Sequence, residues 1–97
     1  MKTQLTKKDA IHQLLQAISL LKDKEEALAF FTDLCTPAEL EAMVDRWQVV
    51  PLLRKGLSYR NIYEQTGVSV TTITRVARTL RMGSGGYLLI AERLEKT

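Results

Sequence analysis

The stretch from Ser58 to Leu80, SYRNIYEQTGVSVTTITRVARTL, constrains this chain more than any other part of it. Its apolar residues and its glycine stand at the intervals of two short helices joined by a tight turn. Ile62 is the inward residue of the first helix. Gly67 follows Tyr63 by four residues, where the turn needs a left-handed backbone that glycine adopts without steric cost. Ser69 is placed to cap the second helix. At about 100° per residue, Ile73, Val76, Ala77 and Leu80 gather on one side of that helix, and Thr71, Thr74, Arg75 and Arg78 gather on the other. One side packs. The other presents small hydroxyls followed by guanidinium groups, an order suited to a helix whose N-terminal end enters a major groove while its later turns meet phosphates. One residue is irregular: Tyr63 stands where such motifs usually carry alanine, so its ring must point elsewhere or widen the helix crossing.

An ordinary helical hairpin with a solvated outer face has the same apolar spacing, and charge separates the two readings. From Arg46 to Met82 the chain carries seven basic residues (Arg46, Arg54, Lys55, Arg60, Arg75, Arg78, Arg81) against one acid, Glu64, a net of +6. The remainder carries seven basic and ten acidic residues, a net of −3, so the overall +3 conceals a strongly basic middle. Six of the seven are arginine, the residue that pairs bidentately with phosphate and guanine. A solvated face does not segregate charge in this way, and the pattern points to nucleic acid.

At 97 residues the chain is expected to be a single domain over 1–97, small enough for oligomerisation to add substantially to its stability. No apolar run approaches the roughly 20 residues that span a bilayer, and the N-terminal MKTQLTKK has no apolar stretch of the secretory kind. A cytoplasmic location is expected. The single cysteine, Cys35, reads as a small hydrophobe at a helix junction, with a redox sensor as the alternative. His12 has no second histidine or cysteine at ligand spacing, so neither a metal nor any other cofactor is expected. Nor does an enzyme emerge, because there is no glycine-flanked serine, phosphate-binding glycine loop or cysteine–histidine pair. Glu39 with Glu41, and Glu25 with Glu26, are better explained as helix-start and surface charge than as acid/base pairs.

The rest of the chain reads as further helices. Thr6 with Asp9 resembles an acidic capping box, followed by Ile11, Leu14, Leu15, Ile18 and Leu21 at helical spacing. Asp23 with Glu26 starts a second helix with a stripe of Ala27, Phe30, Phe31 and Leu34. Thr36-Pro37-Ala38-Glu39 combines a cap, a proline at the first helical position and an acid at the third, with Leu40, Met43, Val44, Trp47 and Val50 marking the inner face. Pro51 predicts a kink with helix resuming as far as Gly56, or else an early stop at Val50. A fourth helix is expected from about Ser58 to Thr66 and a fifth from about Ser69 to Arg81, with Gly83 as its cap. After Gly83-Ser84-Gly85-Gly86, a last helix carries Tyr87, Ile90, Ala91 and Leu94 on one stripe, widened by Leu88 and Leu89. That is more apolar surface than a lone terminal helix exposes, which suggests a partner chain. The fold class is all-α.

This order of elements resembles the Trp repressor superfamily, and within it the YerC/YecD type of Trp repressor-related proteins. The likeness spans roughly residues 12 to 97 and rests on LCTPAELEAMVDRW, on LLRKGLSYRNIYEQTGVSVTTITRVARTL, and on the glycine-rich turn before a tyrosine. Its specific marks are the Thr-Pro-x-Glu helix start, Arg46 seven residues after Glu39, and Thr-Ile-Thr-Arg inside the second helix of the motif. The resemblance implies a six-helix fold and an intertwined homodimer whose two helix-turn-helix heads project towards half-sites about one helical turn, roughly 34 Å, apart. By position, Arg60, Val70, Thr71 and Thr74 match DNA-contacting residues of Trp repressor; geometry alone adds Tyr59 and Arg78, and Arg75 joins the set from the outer face of the second helix.

Thr36, Arg46, Thr72 and Arg75 match positions that line the corepressor pocket of Trp repressor. The next residue is a glycine there and Val76 here, so an isopropyl group intrudes into the slot. Overpacking of that kind costs about 1–3 kcal/mol, enough to weaken a micromolar site by one or two orders of magnitude. Weak or absent tryptophan binding is therefore expected, with a smaller hydrophobic effector left open. The leading function is a dimeric, sequence-specific transcriptional repressor. The alternatives are a protein-interaction module docking an acidic partner through the basic surface, and a nonspecific chromosome-binding protein.

Overall fold

The computed structural model describes residues 6–97; the first five residues of the N-terminal segment discussed above lie outside the described residues. Six helices make up the described chain: α1 (Lys7–Ser19), α2 (Lys24–Leu34), α3 (Pro37–Arg54), α4 (Tyr59–Thr66), α5 (Val70–Met82) and α6 (Gly86–Glu95). Among the described residues there is no strand, and no helix is long and apolar enough to cross a membrane. The chain divides into two compact units, one ending at Pro37 and one running from Ala38 to Thr97.

The first unit holds α1 and α2. Thr6 caps α1 by accepting the Asp9 N–H at 3.1 Å, and Asp23 caps α2 by accepting the Glu26 N–H at 2.9 Å. The Glu26 carboxylate reaches back to the Lys22 N–H at 3.0 Å, so two otherwise orphaned donors at this helix start are satisfied. Phe30 and Phe31 meet edge to face, with ring centroids 5.5 Å apart. Yet neither α1 nor α2 buries any side chain fully. Of the apolar stripes, Ile18, Leu21, Ala27, Phe30 and Phe31 are half-buried, whereas Ile11, Leu14, Leu15 and Leu34 remain exposed, as does Leu28 outside them.

The second unit carries the core. Val49 and Val50 of α3, Ile62 of α4, Val68 of the turn, Ile73 and Val76 of α5 and Ala91 of α6 form one buried cluster, flanked by Trp47, Leu52, Leu53, Leu57, Leu80 and Tyr87. Each fully buried Val or Ile contributes about 1.5–3 kcal/mol relative to its exposed state. The helix α3 runs through Pro51 to Arg54, so the early stop at Val50 does not occur. It ends in a Schellman arrangement: Leu57 N–H donates to Leu52 O, Gly56 N–H to Leu53 O, and Gly56 takes φ of +81°. Its inner face departs from expectation. Val49 joins Val50 in the core while Met43 and Val44 stay exposed, because the packed side of α3 in this unit is set by its last turns.

The terminal helix docks on the end of α3. Tyr87 lies 6.1 Å from Trp47, centroid to centroid, and Ala91 is buried. Arg54 donates from Nε to Glu95 Oε2 at 2.6 Å and from Nη2 to Glu95 Oε1 at 2.8 Å, a forked pair that lowers the Glu95 pKa below the ordinary glutamate range and raises that of Arg54. On the other side of α6, Leu88, Leu89, Ile90 and Leu94 are exposed. Gly83 does cap α5, but with extended rather than left-handed backbone (φ −84°, ψ −158°). Its reason is close approach: a Cβ there would stand 2.5 Å from the Thr79 carbonyl oxygen, to which the Gly83 N–H donates at 2.7 Å.

Candidate nucleic-acid interface

The helices α4 and α5 pack on each other and are built by local chemistry at both ends. Ser58 accepts the Asn61 N–H at 3.1 Å and fixes the start of α4. At its end Thr66 donates from Oγ1 to the Ile62 carbonyl at 2.7 Å and accepts the Val68 N–H at 3.1 Å, so one hydroxyl stitches the last turn of α4 to the turn that follows. Gly67 takes φ of +74°, and its N–H donates to the Tyr63 carbonyl at 2.8 Å. Ser69 accepts the Thr72 N–H at 3.2 Å and donates from Oγ to the Thr72 hydroxyl at 3.1 Å, which fixes the start of α5.

This framework separates the two faces of α5. Ile73, Val76 and Ala77 are buried, and Leu80 is half-buried. Val70, Thr71, Thr74, Arg75 and Arg78 are exposed, with Tyr59 and Arg60 of α4 exposed beside the motif's entry. At 1.5 Å per residue α5 is about 20 Å long, and an α-helix with its side chains fits the width of a B-DNA major groove, about 12 Å. Among the described residues neither Arg75 nor Arg78 is tied into an ion pair, so both guanidinium groups are available to an anion. Tyr63 resolves its irregularity by pointing outward: it is 51% exposed and does not fill the space between α4 and α5.

Arg60 is the one engaged cation of the set. Its Nε donates to Glu64 Oε1 at 3.1 Å across one helical turn. In the sequence Glu64 stands out as the lone acid of the basic segment, and its i, i+4 spacing from Arg60 is the signal of the pair.

Of the candidate ligand-pocket residues, Thr36 falls in the first unit, and Arg46, Thr72, Arg75 and Val76 in the second. Within the second unit, Val76 is 1% exposed and belongs to the core cluster, Thr72 spends its hydroxyl on the α5 cap, Arg46 is half-buried and Arg75 is exposed. A cavity of about 240 Å³ opens where α5 gives way to α6, lined by Thr79, Leu80, Ser84, Gly85, Gly86, Tyr87 and Leu88. None of the four second-unit candidates lines it.

Residues 9–95 match the family described as Trp repressor protein, a match that spans both units. The chain is similar to the YerC protein of Bacillus subtilis (strain 168), with 40% identity over 87 residues, 90% of this chain and 84% of that protein. It is similar to a Trp operon repressor homolog of Vibrio vulnificus (strain YJ016), with 38% identity over 73 residues, 71% of this chain and 72% of that one. Among solved structures, a TrpR-like protein from Eubacterium eligens ATCC 27750 superposes with a TM-score of 0.87 at 45% identity, covering 92% of each chain.

Proposed function

The chain belongs to the Trp repressor family, and on that premise we propose that it is a dimeric, sequence-specific DNA-binding regulator that reads an inverted repeat and represses by occupying a promoter. The observation that carries this reading is the division of α5: Ile73, Val76 and Ala77 anchor one face, while Thr71, Thr74, Arg75 and Arg78 stand free on the other. Thr71 and Thr74 meet base edges from the first turns of α5, with Val70 against an apolar base surface. Arg75, Arg78 and Tyr59 meet the backbone, and Arg60 reaches the groove from α4. We read the two units as one regulator domain working in the cytoplasm, a reading supported by the family match that crosses both.

The dimer is supported by what a single chain leaves uncovered. No residue of α1 or α2 is fully buried, and Leu88, Leu89, Ile90 and Leu94 of α6 are exposed. Apolar surface on this scale needs a second chain. A two-fold pair of heads presents two copies of α5 to half-sites about 34 Å apart on one face of the duplex.

The regulator works without tryptophan. Val76 puts a branched side chain into the core where the corepressor site of Trp repressor has glycine, and Thr72 is committed to the α5 cap. Selection of bound fragments from a random duplex library by purified protein, with no ligand and at about 0.15 M salt, tests the proposal. Enrichment of an inverted repeat is the expected result. Absence of enrichment points to a required effector or to an acidic protein as the partner of the basic surface.

A further inference from the structure

Glu64 is the single acid between Arg46 and Met82, and its carboxylate faces the Arg60 guanidinium at 3.1 Å. As a means of stabilising α4 this pair is badly placed. Arg60 stands in the first turn, where the positive end of the helix dipole opposes it, and Glu64 in the last, where the negative end opposes it. The order is also the weaker one, since an acid on the N-terminal side of the base is favoured at this spacing. Both side chains are open to water, 87% and 57% exposed, so solvent and salt screen their attraction. The acid further removes one unit of charge from the segment that must attract a polyanion.

What the pair achieves is orientation. With Nε donating to the carboxylate, the two terminal guanidinium nitrogens are left as a fork directed away from it. That fork matches O6 and N7 of guanine in the major groove. The neighbouring carboxylate repels phosphate oxygens and so discourages the same arginine from settling on the backbone. We propose that Glu64 is a positioning residue for sequence discrimination, holding Arg60 as a guanine reader and away from the role of phosphate anchor. The inference rests on the DNA-reading function proposed above and deepens it by naming a guanine at one position of each half-site.

The test is random-duplex selection with the wild type, Glu64→Gln, Arg60→Lys and the double variant, together with titrations on the selected site and on an unrelated duplex. Glu64→Gln is expected to melt like the wild type. It should bind the unrelated duplex more tightly, with a log–log salt slope steeper by about 0.9 as Arg60 turns to a phosphate. Its guanine preference at one position per half-site should fall about fivefold to tenfold, part of what a full bidentate contact supplies. Arg60→Lys should lose the same preference, and Glu64→Gln should change nothing further in that background. A selective wild type with undiminished guanine preference in Glu64→Gln overturns the proposal, as does a loss that persists when Arg60 is already lysine. A wild type that selects no sequence overturns instead the reading of function on which the proposal stands.

Discussion

Replacing Gly67 isolates the backbone requirement of the turn between α4 and α5. The residue sits at φ +74°, and a Cβ built on it meets nothing within 4 Å, so alanine encounters no steric obstacle from the rest of the protein. The whole penalty is then the left-handed conformation, about 1–2 kcal/mol for an L-residue with a Cβ. Alanine also restricts the unfolded chain, which offsets about 0.4–1 kcal/mol of this. Gly67→Ala should therefore lower stability by roughly 1 kcal/mol, and Gly67→Asn by less, because asparagine enters the left-handed region more readily. Gly83 provides the contrast. Its φ of −84° suits any residue, but a Cβ would stand 2.5 Å from Thr79 O and 2.9 Å from Thr79 Cγ2. Gly83→Ala must then displace backbone, and asparagine should rescue nothing at that position. Urea unfolding at one fixed protomer concentration measures all four variants, with a shifted midpoint and unchanged slope as the expected form. Wild-type stability in Gly67→Ala, or equal losses in Gly67→Asn and Gly67→Ala, would show that the left-handed backbone is not the source of the cost.

Three further outcomes are expected. Arg75→Glu with Arg78→Glu should abolish specific DNA binding and flatten the salt slope of the residual nonspecific binding by about 2, roughly 0.9 per lost phosphate contact, while the exposed positions of both leave the melting curve unchanged; anisotropy titration and circular dichroism check the two halves. The Arg54 hydrogen bonds hold the Glu95 pKa lower in the folded protein than in the unfolded chain, so their stabilisation is present above the unfolded value and is lost as pH falls through the folded one. The stability difference between wild type and Glu95→Gln should accordingly be flat at neutral pH and shrink once pH drops below about 4.3; urea titrations across that range measure it. Tryptophan at about 1 mM, enough to half-fill even a millimolar site, should leave DNA affinity unchanged, and a tenfold gain on adding it would contradict the reading of Val76.

Much of the fold was readable because helix starts are written locally. Thr6, Asp23, Ser58 and Ser69 all accept the N–H three residues on, and Gly67 adopts the left-handed turn. The faces of α5 followed from spacing alone, since Ile73, Val76 and Ala77 are buried through a single regular helix. Spacing served less well on α3. A stripe drawn from Leu40 to Val50 includes Met43 and Val44, which stay exposed, and omits Val49, which has no exposure at all. A long helix that packs by its last turns does not keep one face inward along its length, and a helical wheel carries no information about where its neighbours stop. The Arg54–Glu95 pair joins residues 41 apart, so no local pattern announces it. Gly83 was recognisable as a cap, but its close approach to Thr79 belongs to the folded backbone rather than to glycine's conformational freedom. At the candidate site, exposure of Tyr59, Arg60, Val70, Thr71, Thr74, Arg75 and Arg78 agreed with the helical pattern, whereas the fate of Tyr63 depended on how α4 and α5 pack.

Hydroxyl-radical footprinting of the wild-type protein on its selected duplex tests most directly the claim that two copies of α5 read one face of DNA. Two protected segments are expected, centred about one helical turn, roughly 10 base pairs, apart and related by the two-fold symmetry of the site. Uniform protection along the duplex, or a single protected segment, would contradict that claim.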